Sequence, residues 1–359
     1  MSIFKKSVLE PLRLGQKEGI KGIPIPLIKL SKITNYIEKG QVVTIGGKAT
    51  SGKASFMDFV YLMSIFKWWR DLGHDEEGKS IDNPNQPKLK IFYFNMKHSE
   101  KIKYQKWLCL YLKMYHNIVI DIPTLTNSVG KLYDLTSDEI TKINAAKEFF
   151  NDMEDVMSLV NGSQQPSSIY NRVHNYMEDI GTIDDNGNYY LNEENPNQIT
   201  ILFIENTDCL LPESEGFQNL NSEALNKKLS EYLNKLKTVY NVNSFVVVPS
   251  RVNNSRMIRD SEPTYKELGV FGKNCDLGLI IYNPFNENNN KYLGYPIEEL
   301  VVSGKNRFRT VTVVRNSQGL ENITVGTIFL GECGYFAESP LPTDENGFYE
   351  LIDNLNSLP

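Results

Sequence analysis

Apolar runs of strand length alternate along this chain with stretches in which apolar residues recur every three or four positions. The runs are "VVTI" from Val42, "KIFYFN" from Lys90, "ITILFIEN" from Ile199 and "SFVVVPS" from Ser244. Two more lie around "CDLGLIIY" and "ELVVSGKNR". The helical stretches fall between them. One starts near Lys53. A second, from Glu100, puts Tyr104, Leu108, Tyr111, Leu112 and Tyr115 on one face. A third opens with Thr136 and Glu139 spaced as a capping box and carries Ile140, Ile143, Ala146, Phe150, Met153 and Met157. A fourth carries Leu225, Leu229, Leu233 and Leu236. Strands this apolar, separated by helices, predict a mainly parallel sheet covered on both faces. Beyond Val311 the strands "VTVVRN" and "TVGTIFL" read as antiparallel.

The sheet pattern never restarts, so one domain over 22–340 is expected. A helix and linker over 1–21 precede it and a tail over 341–359 follows. In the first segment Ile3, Val8, Leu9 and Leu12 form an apolar stripe, and "KGIPIPLIKL" is a proline-broken connector. Two polar stretches, about 74–88 and 184–198, read as surface insertions. The second holds Asn-Gly-Asn, a hairpin signal.

Composition narrows the function classes. A net charge of −6 provides no global basic footprint for nucleic acid, so any such contact must be local. Cys109, Cys209, Cys275 and Cys333 are scattered and form no CxxC, which predicts free thiols rather than a disulfide or metal framework. No apolar run spans a membrane and the start lacks a signal-peptide core, so a cytoplasmic protein is expected. The abundance of asparagine and tyrosine is a compositional hint of an AT-rich genome such as a phage's.

The strongest motif is "GKATSGKA", residues 47–54. Gly47, Gly52 and Lys53 meet the phosphate-loop pattern G-x-x-x-x-G-K-[ST], and Ser51 lies inside it. The loop sits between a strand and a helix, where glycines let backbone N–H groups reach phosphate oxygens and the helix start favours an anion. The position that should supply a hydroxyl to Mg²⁺ is Ala54, whose methyl group cannot coordinate a metal. Ser55 is the nearest hydroxyl that could replace it. The expected ligand is ATP or another nucleoside triphosphate with Mg²⁺.

Together these segments resemble the C-terminal motor domain of DnaB-type replicative helicases, within the RecA-like P-loop NTPases, from about Gly22 to Phe336. The resemblance rests on "GIPIPLIKLSKITNYIEKGQVVTIGGKATSGK", on "PTYKELGVFGKNCDLGLIIYNP" with its acidic Asp276, and on "VVSGKNRFR". It implies a RecA-like core with a mainly parallel sheet flanked by helices and antiparallel strands at the C-terminal edge. It places Lys305 and Arg307 at the basic pair that reaches a neighbour's nucleotide, and so implies self-association or a related subunit, as in a hexameric ring, with single-stranded DNA as a partner.

The departures fall on the chemistry. Where the family ends its second strand in a catalytic carboxylate, this chain has Asn95, which cannot take a proton from water. The metal-binding carboxylate after the next strand is Glu205, and the γ-phosphate-sensing glutamine is replaced by Arg251. Of two candidate strand-binding loops, 211–223 is acidic and 251–263 carries Arg251, Arg256 and Arg259, which suit a phosphate backbone. Three functions follow. The first is a slow or inactive ATPase acting as an oligomeric scaffold or partner in phage DNA replication. The second is an active ATP-dependent replicative helicase, and the third a structural virion protein reusing the fold.

Overall fold

A computed structural model describes residues 22–75, 79–126, 135–213, 221–249, 263–287, 291–302 and 304–356. Its centre is a nine-stranded sheet. The strands are β1 (Val42–Gly46), β2 (Leu89–Asn95), β3 (Met157–Asn161), β4 (Ile199–Ile204), β5 (Asn243–Val247), β6 (Leu277–Tyr282), β7 (Phe308–Asn316), β8 (Ile323–Leu330) and β9 (Tyr335–Glu338). Their spatial order is β9-β8-β7-β6-β1-β5-β4-β2-β3. From β6 to β3 every pairing is parallel, and β7, β8 and β9 add antiparallel to the β6 side.

Apart from the edge strand β3, the parallel strands are buried on both faces, which is why their sequences are continuously apolar. On one face pack α1 (Ile28–Thr34), α2 (residues 53–72), α3 (Glu100–His116) and α4 (Ser137–Val156), against Ile45, Tyr93, Phe203 and Phe245. The other face is covered by α5 (Pro166–Ile180) and α6 (Ser222–Tyr240), against Phe94, Leu202, Ile204 and Val246. The opposite assignment of Phe203 and its neighbours Leu202 and Ile204 is the strand period of two at work. Helix α2 starts as Lys53–Phe56, widens to i→i+5 turns over Met57–Met63 and ends as Ser64–Leu72.

The expected capping box forms: Thr136 Oγ1 accepts from Glu139 N, and the Glu139 carboxylate accepts from Thr136 N. The 184–198 stretch contributes a small hairpin, Gly181–Ile183 with Tyr189–Leu191. Asp276 is a structural residue. Its carboxylate accepts from Val42 N at 2.8 Å and from Lys237 Nζ at 2.6 Å, which pins the start of β1.

Some expectations change, and α5 is added to the elements read from the sequence. Met157 does not continue α4 but opens β3, an edge strand hidden in the apolar "MSLVN". Helix α5 carries Ile169, Val173, Met177 and Ile180 on one buried stripe behind an N-terminal proline. The "ELVVSGKNR" segment is no core strand. It forms a short hairpin, Val301–Val302 with Lys305–Asn306, turning at Gly304 with φ +71°. The antiparallel region therefore starts at Phe308. Finally, "KGIPIPLIKL" leads into α1, and 345–356 form α7 (Glu345–Asn356), whose Phe348 and Leu355 bury against Tyr295 and Phe308. Residues 1–21, with the predicted N-terminal helix, lie outside the described residues.

Candidate functional site

The phosphate loop runs from the end of β1 to the start of α2, at the carboxyl ends of the parallel strands, where this fold class puts its ligands. Its backbone depends on glycine at two points. Gly47 has φ +151°, and an added Cβ would lie 2.4 Å from Ile281 O and 2.7 Å from Ser51 Oγ. Gly52 has φ +93° and is backed by the Phe336 and Phe329 rings, so a Cβ would strain the turn and strike an aromatic edge at 2.9 Å. Gly52 stands at the N-cap of α2 with no side-chain cap, and the first intrahelical bond of the turn is Phe56 N to Gly52 O at 2.8 Å. The amides of the first turn ahead of it are thus donors available to an anion.

Lys53 Nζ donates to Lys48 O at 2.7 Å, folding across the loop. Burial pulls its pKa down to about 8. Asp208 acts the other way and Lys97 in the same direction as burial. Ser51 Oγ is buried under the loop with no hydrogen-bond partner among the described residues. A cleft of about 320 Å³ opens here, lined by loop residues with Ala54, Ser55, Lys97, His98, Glu205 and Asp208 among others. The structure therefore brings together Gly52, Lys53, Ala54, Ser55 and Glu205, as the sequence suggested.

Below the cleft lies a cluster that the sequence did not announce. Lys103 projects from α3 and is 1% exposed. Its Nζ donates to Asp58 Oδ2 at 2.8 Å and stands 3.3 Å from Glu205 Oε1. The rings of Tyr93 and Trp107 flank the ammonium at 4.7 and 5.5 Å. Tyr93 Oη donates to Asp58 Oδ1 at 2.7 Å. Burial raises the pKa of Asp58, with Lys103 opposing and Glu205 reinforcing that shift. His98 Nε2 lies 3.7 Å from Glu205, but burial and the neighbouring lysines lower its pKa to about 4, so it is neutral near pH 7 and forms no ion pair there. Glu205 Oε2 has no hydrogen-bond partner among the described residues. The one sequence signal was a lysine on the otherwise apolar face of α3, a position normally filled by a core residue.

Asn95, at the end of β2, is fully buried and does not face the cleft. Its Nδ2 donates to His98 O and to Asn161 Oδ1, each at 2.8 Å, and its Oδ1 accepts from His98 N at 3.3 Å. Asn161, supplied by β3, in turn donates to Glu100 Oε2 at 3.0 Å. Both Asn95 polar atoms are thus used inside the protein. Glu100 Oε2 accepts the Asn161 bond, and Glu100 is not among the residues lining the cleft.

The basic pair differs from its expected placement. Arg307 does not project to the surface. It is 3% exposed and donates two bonds of 3.0 Å to Glu332, with Lys305 Nζ on the same carboxylate at 2.7 Å. Glu332 lines a second cavity on the far side of Ser55 and Asp58. Arg251, Arg256 and Arg259 lie outside the described residues, as does most of the acidic loop candidate.

The site fits Mg²⁺ poorly. Ala54 offers a methyl and Glu205 has one oxygen against an ammonium, while Thr50 and Ser55 supply the hydroxyls of the cleft and Asp208 a second carboxylate. Among the described residues no group of three or more His, Cys, Asp or Glu side chains can hold a metal ion.

With fold and site in place, the chain can be compared with solved structures. It superposes on the ATPase domain of G40P with a TM-score of 0.62 at 15% identity, covering 94% of this chain and 98% of that one. The fold is that of a DnaB-type, RecA-like motor domain. A DnaB-like replicative helicase, described with its interactions with primase, matches with a TM-score of 0.61 at 14% identity over 94% of this chain and 67% of that one. No protein-family model and no curated protein matches the sequence. Among the described residues no helix is long and apolar enough to cross a membrane.

Proposed function

We propose that this DnaB-like chain binds a nucleoside triphosphate at Gly47–Ser55, hydrolyses it slowly or not at all, and serves as an oligomeric scaffold or partner in phage DNA replication in the host cytoplasm. The observation that carries the reading is the pairing of a phosphate loop that keeps its glycines and lysine with an amide, Asn95, locked to Asn161 where a motor needs a free carboxylate. The loop keeps its strained glycines, its lysine and, at Ser51, a buried hydroxyl with no hydrogen-bond partner among the described residues, all of which suit a phosphate ligand. Glu205, the one buried carboxylate at the cleft, is held by Lys103. Positioning and charge stabilisation supply most of the rate in phosphoryl transfer, so losing them slows hydrolysis without abolishing binding.

Assembly through RecA-type contacts, as a ring or with a related subunit, is supported by the fold likeness. Single-stranded DNA is a possible ligand of the 251–263 segment on its charge alone. Titration with ATP tests the binding half. Heat of binding by the wild type that is lost in Lys53→Ala supports it, and no binding by the wild type removes it in favour of the structural-protein alternative.

A further inference from the structure

We infer that the site takes its triphosphate without a divalent metal ion, because Lys103 beneath the loop neutralises the carboxylates that would attract one and Lys97 at its rim brings positive charge to the phosphates. This rests on the nucleotide-binding reading above and specifies its ligand.

A divalent ion is drawn to a phosphate loop by unneutralised carboxylates and is held by oxygen donors in near-octahedral geometry. Both requirements are weakened here. Lys103 Nζ stands between Asp58 and Glu205, 2.8 and 3.3 Å away, and cancels much of the field that would attract a cation. Its place is built rather than incidental. The ammonium is buried between two aromatic rings, held to one carboxylate by a hydrogen bond and close to the other. An ammonium in such surroundings persists only because its partners compensate for lost water. The donor set points the same way: Ala54 stands in place of the hydroxyl, one Glu205 oxygen faces Lys103, and among the described residues no group of three or more His, Cys, Asp or Glu side chains can hold a metal ion.

The phosphate side shows the complementary feature. Lys97 is exposed on the turn between β2 and α3, lines the cleft and is close enough to Lys53 to depress its pKa. Two lysines at the mouth of the loop suit a metal-free triphosphate, which is more negative than its Mg²⁺ complex. Against an anion without its metal, each ammonium makes charge-assisted bonds directly to phosphate oxygens.

Calorimetric titration of the full chain with ATP, in EDTA and in excess MgCl₂, tests this. The affinity in EDTA is expected to equal that in MgCl₂ within about threefold, or to exceed it. Lys97→Ala, at an exposed position that leaves the fold intact, is expected to weaken binding about tenfold in EDTA. An affinity that rises more than about tenfold on adding Mg²⁺ overturns the inference while leaving nucleotide binding in place. Lys97→Ala binding like the wild type in EDTA overturns the assignment of Lys97. No binding in either buffer removes both the inference and the function on which it rests.

Discussion

Lys103 and Asp58 meet inside the protein, Nζ to Oδ2 at 2.8 Å, with Glu205 on the other side of the same ammonium. Removing the cation leaves two buried carboxylates facing each other. Lys103→Ala is therefore expected to cost about 3–5 kcal/mol of stability, because breaking a buried pair strands the remaining charges. Urea unfolding followed by circular dichroism measures it. A loss below about 1 kcal/mol would mean that Lys103 is not the counter-charge of this cluster.

Arg307 and Glu332 form a bidentate, largely buried pair within one chain. Burial alone would raise the Glu332 pKa. Hydrogen bonds from Lys305 and the Arg307 charge outweigh it and hold the carboxyl below its usual range. The stability this contributes is present above the ordinary glutamate range and is lost as the pH falls through the depressed value. Arg307→Ala should lower the urea midpoint by an amount equivalent to about 3 kcal/mol. In light scattering, the folded fraction should keep the association state of the wild type. Loss of association with unchanged stability would instead show Arg307 acting on a neighbour, as the family resemblance implied.

Much of this architecture was readable in advance. The apolar runs at β1, β2, β4, β5 and β6 identify a sheet buried on both faces, and Gly47, Gly52 and Lys53 identify the loop, because both rest on local pattern. Edge strand β3 was hidden because "MSLVN" follows a helix in register, so its first residue extends the helical stripe. The hairpin at 301–306 read as a core strand because its two valines are apolar, although Gly304 breaks the run. Lys103 was invisible for a different reason. Its role depends on Asp58 and Glu205, which are distant in sequence and meet only when α2, α3 and β4 pack. The pairing of Asn95 with Asn161 is non-local in the same way, and so is that of Arg307 with Glu332.

Lys53 sets a pH dependence. Its pKa is about 8 because burial disfavours the ammonium, and a bound phosphate favours it. The pKa is thus higher in the complex than in the free protein, and binding takes up a proton once the pH exceeds 8. Affinity for ATP should be level below about pH 8 and fall above it by up to about tenfold per pH unit. Titrations across that range test it, with Lys53→Arg, which stays charged, expected to flatten the profile.

On the proposed reading, hydrolysis should be partly recoverable. Ala54→Thr alone restores a hydroxyl but no general base, and is expected to leave turnover unchanged. Ala54→Thr with Asn95→Glu should raise it by about a hundredfold, the lower end of what a placed general base contributes. A glutamate at position 95 is one methylene longer than Asn95 and serves as the base by leaving the Asn161 contact and reaching the cleft. An equal gain from Ala54→Thr alone would show that a carboxylate already present serves as the base.

Steady-state phosphate release by the full chain at saturating ATP with MgCl₂, alongside Lys53→Ala, tests the central claim most directly. The account predicts wild-type turnover at least about a hundredfold below the ~10 s⁻¹ of an ordinary enzyme, in a preparation that binds ATP through Lys53. Turnover near ~10 s⁻¹ that disappears in Lys53→Ala would contradict it and identify a working motor.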